Sequence, residues 1–186
     1  MLTLVIGGSG SGKSRFAEDL LARHDAEKWY VACMLPRGKE AGERIRRHRE
    51  MRREKRFVTR EQYTDIAALR PPETACCLIE CLCNLAANEI FEPDGCGPEA
   101  AADRIVSGIL ALAKRCREVV AVTNDIGSAG HAFPPGTLRY MRILGEINAR
   151  LAAKADTVYE LACGIPVLLK GCPAHGSDER KDGGTR

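Results

Sequence analysis

The most constraining feature of the sequence is a glycine-rich stretch near its start, Gly7-Gly8-Ser9-Gly10-Ser11-Gly12-Lys13-Ser14. It matches the pattern GxxxxGK[ST], follows the apolar run Leu2–Ile6, and precedes a segment from Lys13 to about Ala22 with apolar residues at helical spacing. Glycines let successive backbone N–H groups turn toward one anion, and the start of a following helix adds a positive dipole end. The pattern therefore predicts a strand, a phosphate-binding loop formed by all eight residues, and a helix.

Two side chains of this loop have predicted roles toward a nucleoside triphosphate. We expect Lys13 to reach the β- and γ-phosphates and the Ser14 hydroxyl to ligate Mg²⁺. Such sites also use a carboxylate at the end of another buried strand to hold the metal. Glu80 closes the apolar run Ala75–Glu80 and is predicted to be this acid, while Asp125, just after a valine-rich run, is a rival or additional acid.

Strand-like and helix-like segments alternate along the chain. This alternation predicts an α/β fold with a mainly parallel central sheet flanked by helices. Beyond the first strand and helix, the expected strands are Trp29–Cys33, Phe57–Thr59, Ala75–Glu80, Val119–Thr123, Thr157–Leu161 and Pro166–Lys170. The expected helices are about Glu40–Lys55, Gln62–Leu69, Leu82–Phe91, Ala100–Arg117 and Leu138–Lys154.

Length and composition limit the class of protein. The chain has 186 residues, of which 45% are hydrophobic and 28% charged, which is typical of a globular protein. We expect one domain over residues 1–170 and a disordered tail over residues 171–186, where Gly, Pro, Ser and charged residues dominate. No apolar run approaches the roughly 20 residues of a membrane span, and the start does not resemble a signal peptide, so a cytoplasmic protein is expected.

The nine cysteines form no CxxC pair and are odd in number. Without an export signal, this argues against a disulfide framework, and the absence of CxxC weakens a zinc interpretation. Most of them lie in apolar segments. We expect buried, reduced thiols that act as small hydrophobic residues.

The net charge of +3 hides a strongly basic segment, because nine Lys or Arg residues and His48 lie between Arg44 and Arg60. On a helix, His48 would lie in line with Ala41 and Ile45, the only apolar stripe of the segment. The residues alone leave three interpretations open. The segment is a solvated helix face, a phosphate-handling surface with a nucleophilic imidazole, or a nucleic-acid patch.

Taken together, these motifs resemble the bifunctional adenosylcobinamide kinase / adenosylcobinamide-phosphate guanylyltransferase family of cobalamin biosynthesis, from about Leu2 to Lys170. After the glycine-rich loop, Arg15 and Ala17-Glu18 match the distinctive SGKSRxAE pattern of that family. Further matches are Tyr30-Val31-Ala32-Cys33, Glu40 with Arg44-Ile45 and His48-Arg49, Phe57 with Thr59 and Glu61, Ile79-Glu80-Cys81, Asn88, Thr123-Asn124-Asp125-Ile126-Gly127, Gly145 with Asn148, Leu151-Ala152, Ala155-Asp156, Val158, Gly164-Ile165-Pro166 and Lys170.

The resemblance implies a RecA-like P-loop NTPase that tends to form trimers. It implies phosphorylation of adenosylcobinamide by ATP or GTP with Mg²⁺, followed by transfer of GMP from GTP to the new phosphate. The transfer passes through a guanylylated histidine, which corresponds to His48, with Lys13 as the other catalytic residue. Arg49, Glu61 and Glu80 join the glycine-rich loop in the nucleotide site, and no nucleic-acid partner is implied.

The chain departs from the family pattern at three places. It has Ser9-Gly10 where the family usually has an Ala-Arg pair, Asp125 where the family has Glu, and a different sequence over residues 132–142. Two alternatives therefore stand beside the bifunctional enzyme. One is a homologue that retains a single activity, and the other is a nucleotide-gated nucleic-acid binder.

Overall fold

The computed structural model describes residues 1–37, 42–43, 46, 55–126 and 133–173. The strands in these ranges are β1 (Leu2–Gly7), β2 (Lys28–Ala32), β3 (Phe57–Glu61), β4 (Cys76–Glu80), β5 (Glu118–Asn124), β6 (Thr157–Ala162) and β7 (Ile165–Lys170). The α-helices in them are α1 (Lys13–Ala22), α2 (Leu82–Phe91), α3 (Ala101–Arg115) and α4 (Pro135–Lys154).

All seven strands form one sheet in the order β3-β2-β4-β5-β1-β6-β7. Neighbouring strands are parallel except β6 and β7, which form an antiparallel hairpin. The carboxyl ends of the six parallel strands therefore meet at one edge, which is where open α/β sheets bind ligands. The glycine-rich loop leaves β1 at this edge. The predicted α/β architecture with a mostly parallel sheet is confirmed.

Helices cover both faces of the sheet, because side chains alternate between the two faces of a strand. On β5, Val119 and Ala121 join a cluster with residues of α2, α3 and α4. Val120 and Val122 join the opposite cluster, which includes Leu21 of α1. Burial on both faces explains why β5 reads as an unbroken apolar run rather than an alternating pattern.

The helix predicted near Gln62–Leu69 is wrong, since only a 3₁₀ turn over Ile66–Ala68 forms there. Asp65 has a φ of 45°, which an α-helix cannot include, and its N–H donates to the Glu89 carboxylate at 2.7 Å. The Gln62 side-chain amide donates to two carbonyls of the same turn. Side chains thus satisfy backbone groups that a helix would have paired internally.

The remaining predicted elements differ from the structure mainly at their ends. Strand β3 continues to Glu61 instead of ending at Thr59, and α4 begins at Pro135, three residues before Leu138. Of the helix expected over residues 40–55, Gly42, Glu43 and Arg46 are helical and exposed. The rest of that segment up to residue 54, and the tail after residue 173, lie outside the described residues.

All nine cysteines are free thiols. Burial is confirmed for Cys33, Cys76, Cys77, Cys83 and Cys116, whereas Cys81 and Cys96 are half-buried. The expected burial is wrong for Cys163 and Cys172, which are exposed because they lie in the β6–β7 turn and after β7.

Across the described ranges, no helix combines the length and the apolar character that crossing a membrane requires.

Candidate functional site

The glycine-rich loop joins β1 to α1 in a shape that depends on its glycines. Gly10 and Gly12 have φ values of 72° and 89°, in the left-handed region that side chains disfavour. Gly12 caps α1 without a side-chain hydrogen bond, so the first N–H groups of the helix remain available for an anion. A side chain at Gly7 would lie 2.7 Å from both the Leu161 carbonyl oxygen and Ser11 Oγ.

Lys13 lies in the first turn of α1 and is buried. Its Nζ donates to the Gly8 carbonyl at 2.8 Å, which holds the ammonium group over the loop. In the same loop, Ser11 Oγ is buried without a hydrogen-bond partner. Both groups can therefore turn to a phosphate that enters the loop, as the sequence predicts for Lys13.

Ser14 and Glu80 meet, although 66 positions separate them in sequence: Ser14 Oγ donates to Glu80 Oε1 at 2.8 Å. Glu80 ends β4, and Ser14 lies in the first turn of α1 on the same face of the sheet. A hydroxyl and a carboxylate are the hard oxygen donors that Mg²⁺ prefers, and the ion usually takes its other ligands from phosphates and water. The pair therefore fits the predicted metal role. Among the described residues, no group of three or more His, Cys, Asp and Glu could hold a metal by itself.

Asp125, the rival acid, lies beside the loop in a different way. Its backbone N–H donates to the Gly7 carbonyl at 3.3 Å, and its side chain is exposed. Glu80 is half-buried and contacts Ser14 directly. The geometry therefore favours Glu80 as the acid nearest to the Ser14 hydroxyl.

Glu61 lies at the same edge of the sheet but farther from the loop. Ala32 of β2 pairs with Glu61 on one side and with Glu80 on the other. Two strand spacings, about 10 Å, therefore separate the two carboxyl residues. Glu61 is exposed and accepts a hydrogen bond from the Tyr63 hydroxyl at 2.9 Å.

His48 and Arg49 lie outside the described residues, but the end of their segment is anchored. Lys55 Nζ contacts Glu18 Oε2 at 2.9 Å and Asp19 Oδ1 at 2.8 Å, both on α1. Glu18 is buried, and these two hydrogen bonds raise the pKa of Lys55 against the opposing effect of its partial burial. The basic segment is therefore attached at Lys55 to the helix that follows the glycine-rich loop.

Sequence reasoning missed the support that the β6–β7 hairpin gives to the loop. The Gly164 N–H, at the turn of the hairpin, donates to the Ser11 carbonyl at 3.0 Å. The Gly164-Ile165-Pro166 match was available in the sequence, but only the position of β6 beside β1 brings this turn to the loop.

Sequence reasoning also missed a sulfur-containing network at the ends of β4 and β5. Cys83 Sγ accepts the Asn124 N–H at 3.3 Å, and the Cys83 carbonyl accepts the Tyr140 hydroxyl at 3.1 Å. A hydrogen bond from the Cys81 side chain, helped by the Asn124 N–H, lowers the pKa of Cys83 to about 6 against the effect of burial. The thiol of Cys81 keeps its proton, because this hydrogen bond and burial raise its pKa.

The fold and this edge define the class: a mainly parallel α/β protein with a glycine-rich loop between its first strand and first helix and a carboxylate placed beside that loop. Residues 3–169 match the family described as cobinamide kinase / cobinamide phosphate guanyltransferase. The chain belongs to this family.

Known relatives cover nearly the whole chain. It is 34% identical to the bifunctional adenosylcobalamin biosynthesis protein CobU of Escherichia coli (strain K12), over 91% of this chain and 100% of the relative. It is 35% identical to the protein of the same name from Salmonella typhimurium (strain LT2), with the same coverage. A third relative, the bifunctional adenosylcobalamin biosynthesis protein CobP of Pseudomonas aeruginosa, is 31% identical over 93% of this chain and 99% of its own length.

Proposed function

We propose that this chain phosphorylates the aminopropanol hydroxyl of adenosylcobinamide and then transfers GMP from GTP to the new phosphate, giving adenosylcobinamide-GDP and pyrophosphate. The observation that carries the proposal is the meeting of Ser14 with Glu80 beside a buried Lys13, in a chain of the cobinamide kinase / cobinamide phosphate guanyltransferase family. The names of the relatives support both activities.

In the kinase step, the substrate hydroxyl oxygen attacks the terminal phosphorus of the triphosphate. The new O–P bond forms as the bond to the β-phosphate oxygen breaks, and the hydroxyl proton passes to solvent or a nearby base. Lys13 balances negative charge on the phosphates, while the N–H groups of the loop hold the chain of phosphates in line. Ser14 and Glu80 would hold Mg²⁺, which would offset part of the negative charge of the phosphates.

In the transferase step, a nitrogen of His48 attacks the α-phosphorus of GTP and pyrophosphate leaves. An oxygen of adenosylcobinamide phosphate then attacks the same phosphorus, and the P–N bond to His48 breaks. Splitting the transfer in this way replaces one difficult displacement by two easier ones. Support comes from the family match and from Lys55, seven residues after His48, whose contacts with Glu18 and Asp19 attach the basic segment to α1.

The contacts of two described residues of the basic segment, Lys55 and Arg60, do not favour the nucleic-acid alternative. Lys55 is engaged by two carboxylates, and the Arg60 guanidinium lies over the Trp29 ring, 4.6 Å from its centroid. Basic side chains held in this way are poorly placed to contact a nucleic-acid backbone.

The proposal includes a RecA-like P-loop fold, a cytoplasmic location and a homo-oligomer such as a trimer. Strand β5 lies between β1 and β4, the glycine-rich loop follows β1, and Glu80 ends β4; this arrangement supports the fold assignment. The edge strand β7 supports self-association, because Ile165, Val167 and Leu169 on it are exposed.

The first prediction tests the transferase. Incubation of the pure protein with α-labelled GTP and Mg²⁺ should attach label to the protein, and the bond should be acid-labile and base-stable. The His48→Ala variant should lose the label. His24→Gln is the matched control and should keep the label. His24 contacts Glu118, which begins β5 and therefore lies at the amino ends of the strands, away from the glycine-rich loop.

A product assay with adenosylcobinamide separates the two activities. Lys13→Ala should lose both, whereas His48→Ala should lose mainly GMP transfer. Absence of label from folded wild-type protein contradicts the transferase, and equal loss of both activities in folded His48→Ala contradicts the division of roles.

A further inference from the structure

Asn124, the last residue of β5, lies on the side of the sheet that carries the glycine-rich loop. Val120 and Val122 of the same strand pack in the cluster with α1, so strand alternation places Asn124 on that face. Thr123 points to the other face, where its hydroxyl donates to Asn148 Oδ1 of α4 at 2.8 Å. Asn124 therefore faces the side of the sheet that carries the glycine-rich loop, whereas its neighbour Thr123 faces the other side, toward α4.

Along the sheet edge, Asn124 lies between the loop and the predicted metal acid. Its Cα pairs with Gly7 of β1, and Val122 pairs with Glu80 of β4. Neighbouring strands are about 5 Å apart, so Asn124 is one strand from the start of the loop and one strand from Glu80. The residues that lie around one triphosphate would thus include Asn124.

The backbone of Asn124 is held from three directions. Its N–H donates to Cys83 Sγ at 3.3 Å, and its carbonyl accepts from Asn148 Nδ2 at 3.4 Å. The next N–H, that of Asp125, donates to the Gly7 carbonyl at 3.3 Å. Supporting hydrogen bonds of this kind give a functional side chain a defined position.

The side chain of Asn124, by contrast, is half-buried and open to a ligand. Within the described ranges, none of the hydrogen bonds of this residue uses its side-chain amide. A polar side chain with a fixed backbone, whose amide makes no hydrogen bond to the described residues, is suited to bind a ligand at this end of the sheet.

We propose that the Asn124 side chain is a further phosphate-contacting group, whose Nδ2 donates a hydrogen bond to the terminal phosphate of the bound triphosphate. This inference rests on the proposed kinase function. Glu80, which contacts Ser14, pairs with Val122, and Asn124 lies two residues further along β5, beyond the predicted metal pair at the end of the sheet where the phosphates would bind. The amide gains and loses no proton; it stabilises the charge that the phosphoryl oxygens carry during transfer.

The second prediction concerns binding of nucleotides to the full chain, measured by calorimetry with Mg²⁺. Asn124→Ala should bind a non-hydrolysable ATP analogue roughly 10- to 100-fold more weakly than wild type, with ADP affinity unchanged within about twofold. Asn124→Asp should lose more triphosphate affinity, because it replaces a donor of the same shape by a negative charge.

Ser107→Ala, on α3, is the control. It removes hydroxyl hydrogen bonds to the Asp103 and Arg104 carbonyls and should keep the wild-type preference for triphosphate over diphosphate. Equal losses for ATP analogue and ADP in both Asn124 variants, or the same loss of preference in Ser107→Ala, overturn the role of Asn124. Wild-type protein that binds neither nucleotide overturns the proposed function itself.

Discussion

Glu80 and Asp125 show that the role of a residue depends on where its strand ends in the sheet. Both acids follow apolar runs, so their local sequences are nearly equivalent. In the structure, Glu80 accepts from the Ser14 hydroxyl, whereas Asp125 is exposed and contacts Gly7 through its backbone. This difference in contacts arises from the order of the strands in the sheet, which cannot be predicted from the residues next to each acid in the sequence.

The third prediction concerns the thiol pair beside this acid. The Cys83 thiolate should appear with a midpoint near pH 6, and its ultraviolet absorbance gives the titration. Cys81→Ala removes the hydrogen bond that stabilises this thiolate, so the midpoint should move upward toward the usual thiol value. Cys163→Ala, at an exposed position, should leave the midpoint unchanged. An unchanged midpoint in Cys81→Ala would show that this hydrogen bond is not the cause.

The same titration sets a pH window for stability. The pKa of Cys83 is lower in the folded chain than the usual thiol value of about 8.5, so this group stabilises the fold above that value. The contribution is lost as the pH falls through about 6, because the folded protein must then take up the proton that the unfolded chain already carries.

At the scale of elements, the unit of β1, loop and α1 depends on its neighbours for its shape. The backbone of Gly7 lies close to Leu161 of β6, and the β6–β7 turn donates to the loop through Gly164. Lys55 of the basic segment contacts Glu18 of α1. The unit of β1, loop and α1 is thus contacted by two elements from distant parts of the sequence.

The fourth prediction compares two adjacent glycines of the loop. Gly7→Ala should lower the free energy of unfolding by about 1–3 kcal/mol, because its Cβ would lie 2.7 Å from a backbone oxygen that cannot easily move. Gly8→Ala should change it by less than about 0.5 kcal/mol, since nothing lies within 4 Å of a Cβ there. Chemical denaturation of both variants gives the comparison. Equal losses would contradict the close approach at Gly7.

At the scale of the whole molecule, the two edges of the sheet differ in surface. On β7, Ile165 and Leu169 expose 65% and 57% of their surface. Along β3 at the opposite edge, Val58 is the exposed large apolar residue, at 37%. An apolar edge strand is a common site of self-association, so the β7 edge is the expected oligomer contact.

The fifth prediction tests that contact. Wild-type protein should be larger than a monomer by light scattering, and Ile165→Lys with Leu169→Lys should shift it toward monomer. Val58→Lys, at the opposite edge, should leave the mass unchanged. A monomeric wild type, or a full-sized oligomer in the double variant, would show that β7 is not the contact.

Much of the fold was predictable because its signals are local. The apolar runs of β1, β4 and β5 and the helical spacing of α1 report burial that follows directly from side-chain chemistry. The turn at Gln62–Leu69 was mispredicted because its backbone is satisfied by a distant side chain, Glu89, and by an unusual φ at Asp65. Neither is visible in local sequence.

The sequence by itself determined the glycine-rich loop, the alternation of strands and helices, and the family. The loop and the elements depend on residues close together in the chain, and the family depends on a series of short motifs along it. Only the tertiary structure decided that Glu80 rather than Asp125 meets Ser14, and that Asn124 lies beside Gly7. It also decided that a hairpin supports the loop through Gly164. The physical reason is that hydrogen bonds act over about 3 Å, and strand order, not sequence separation, brings these groups within that distance.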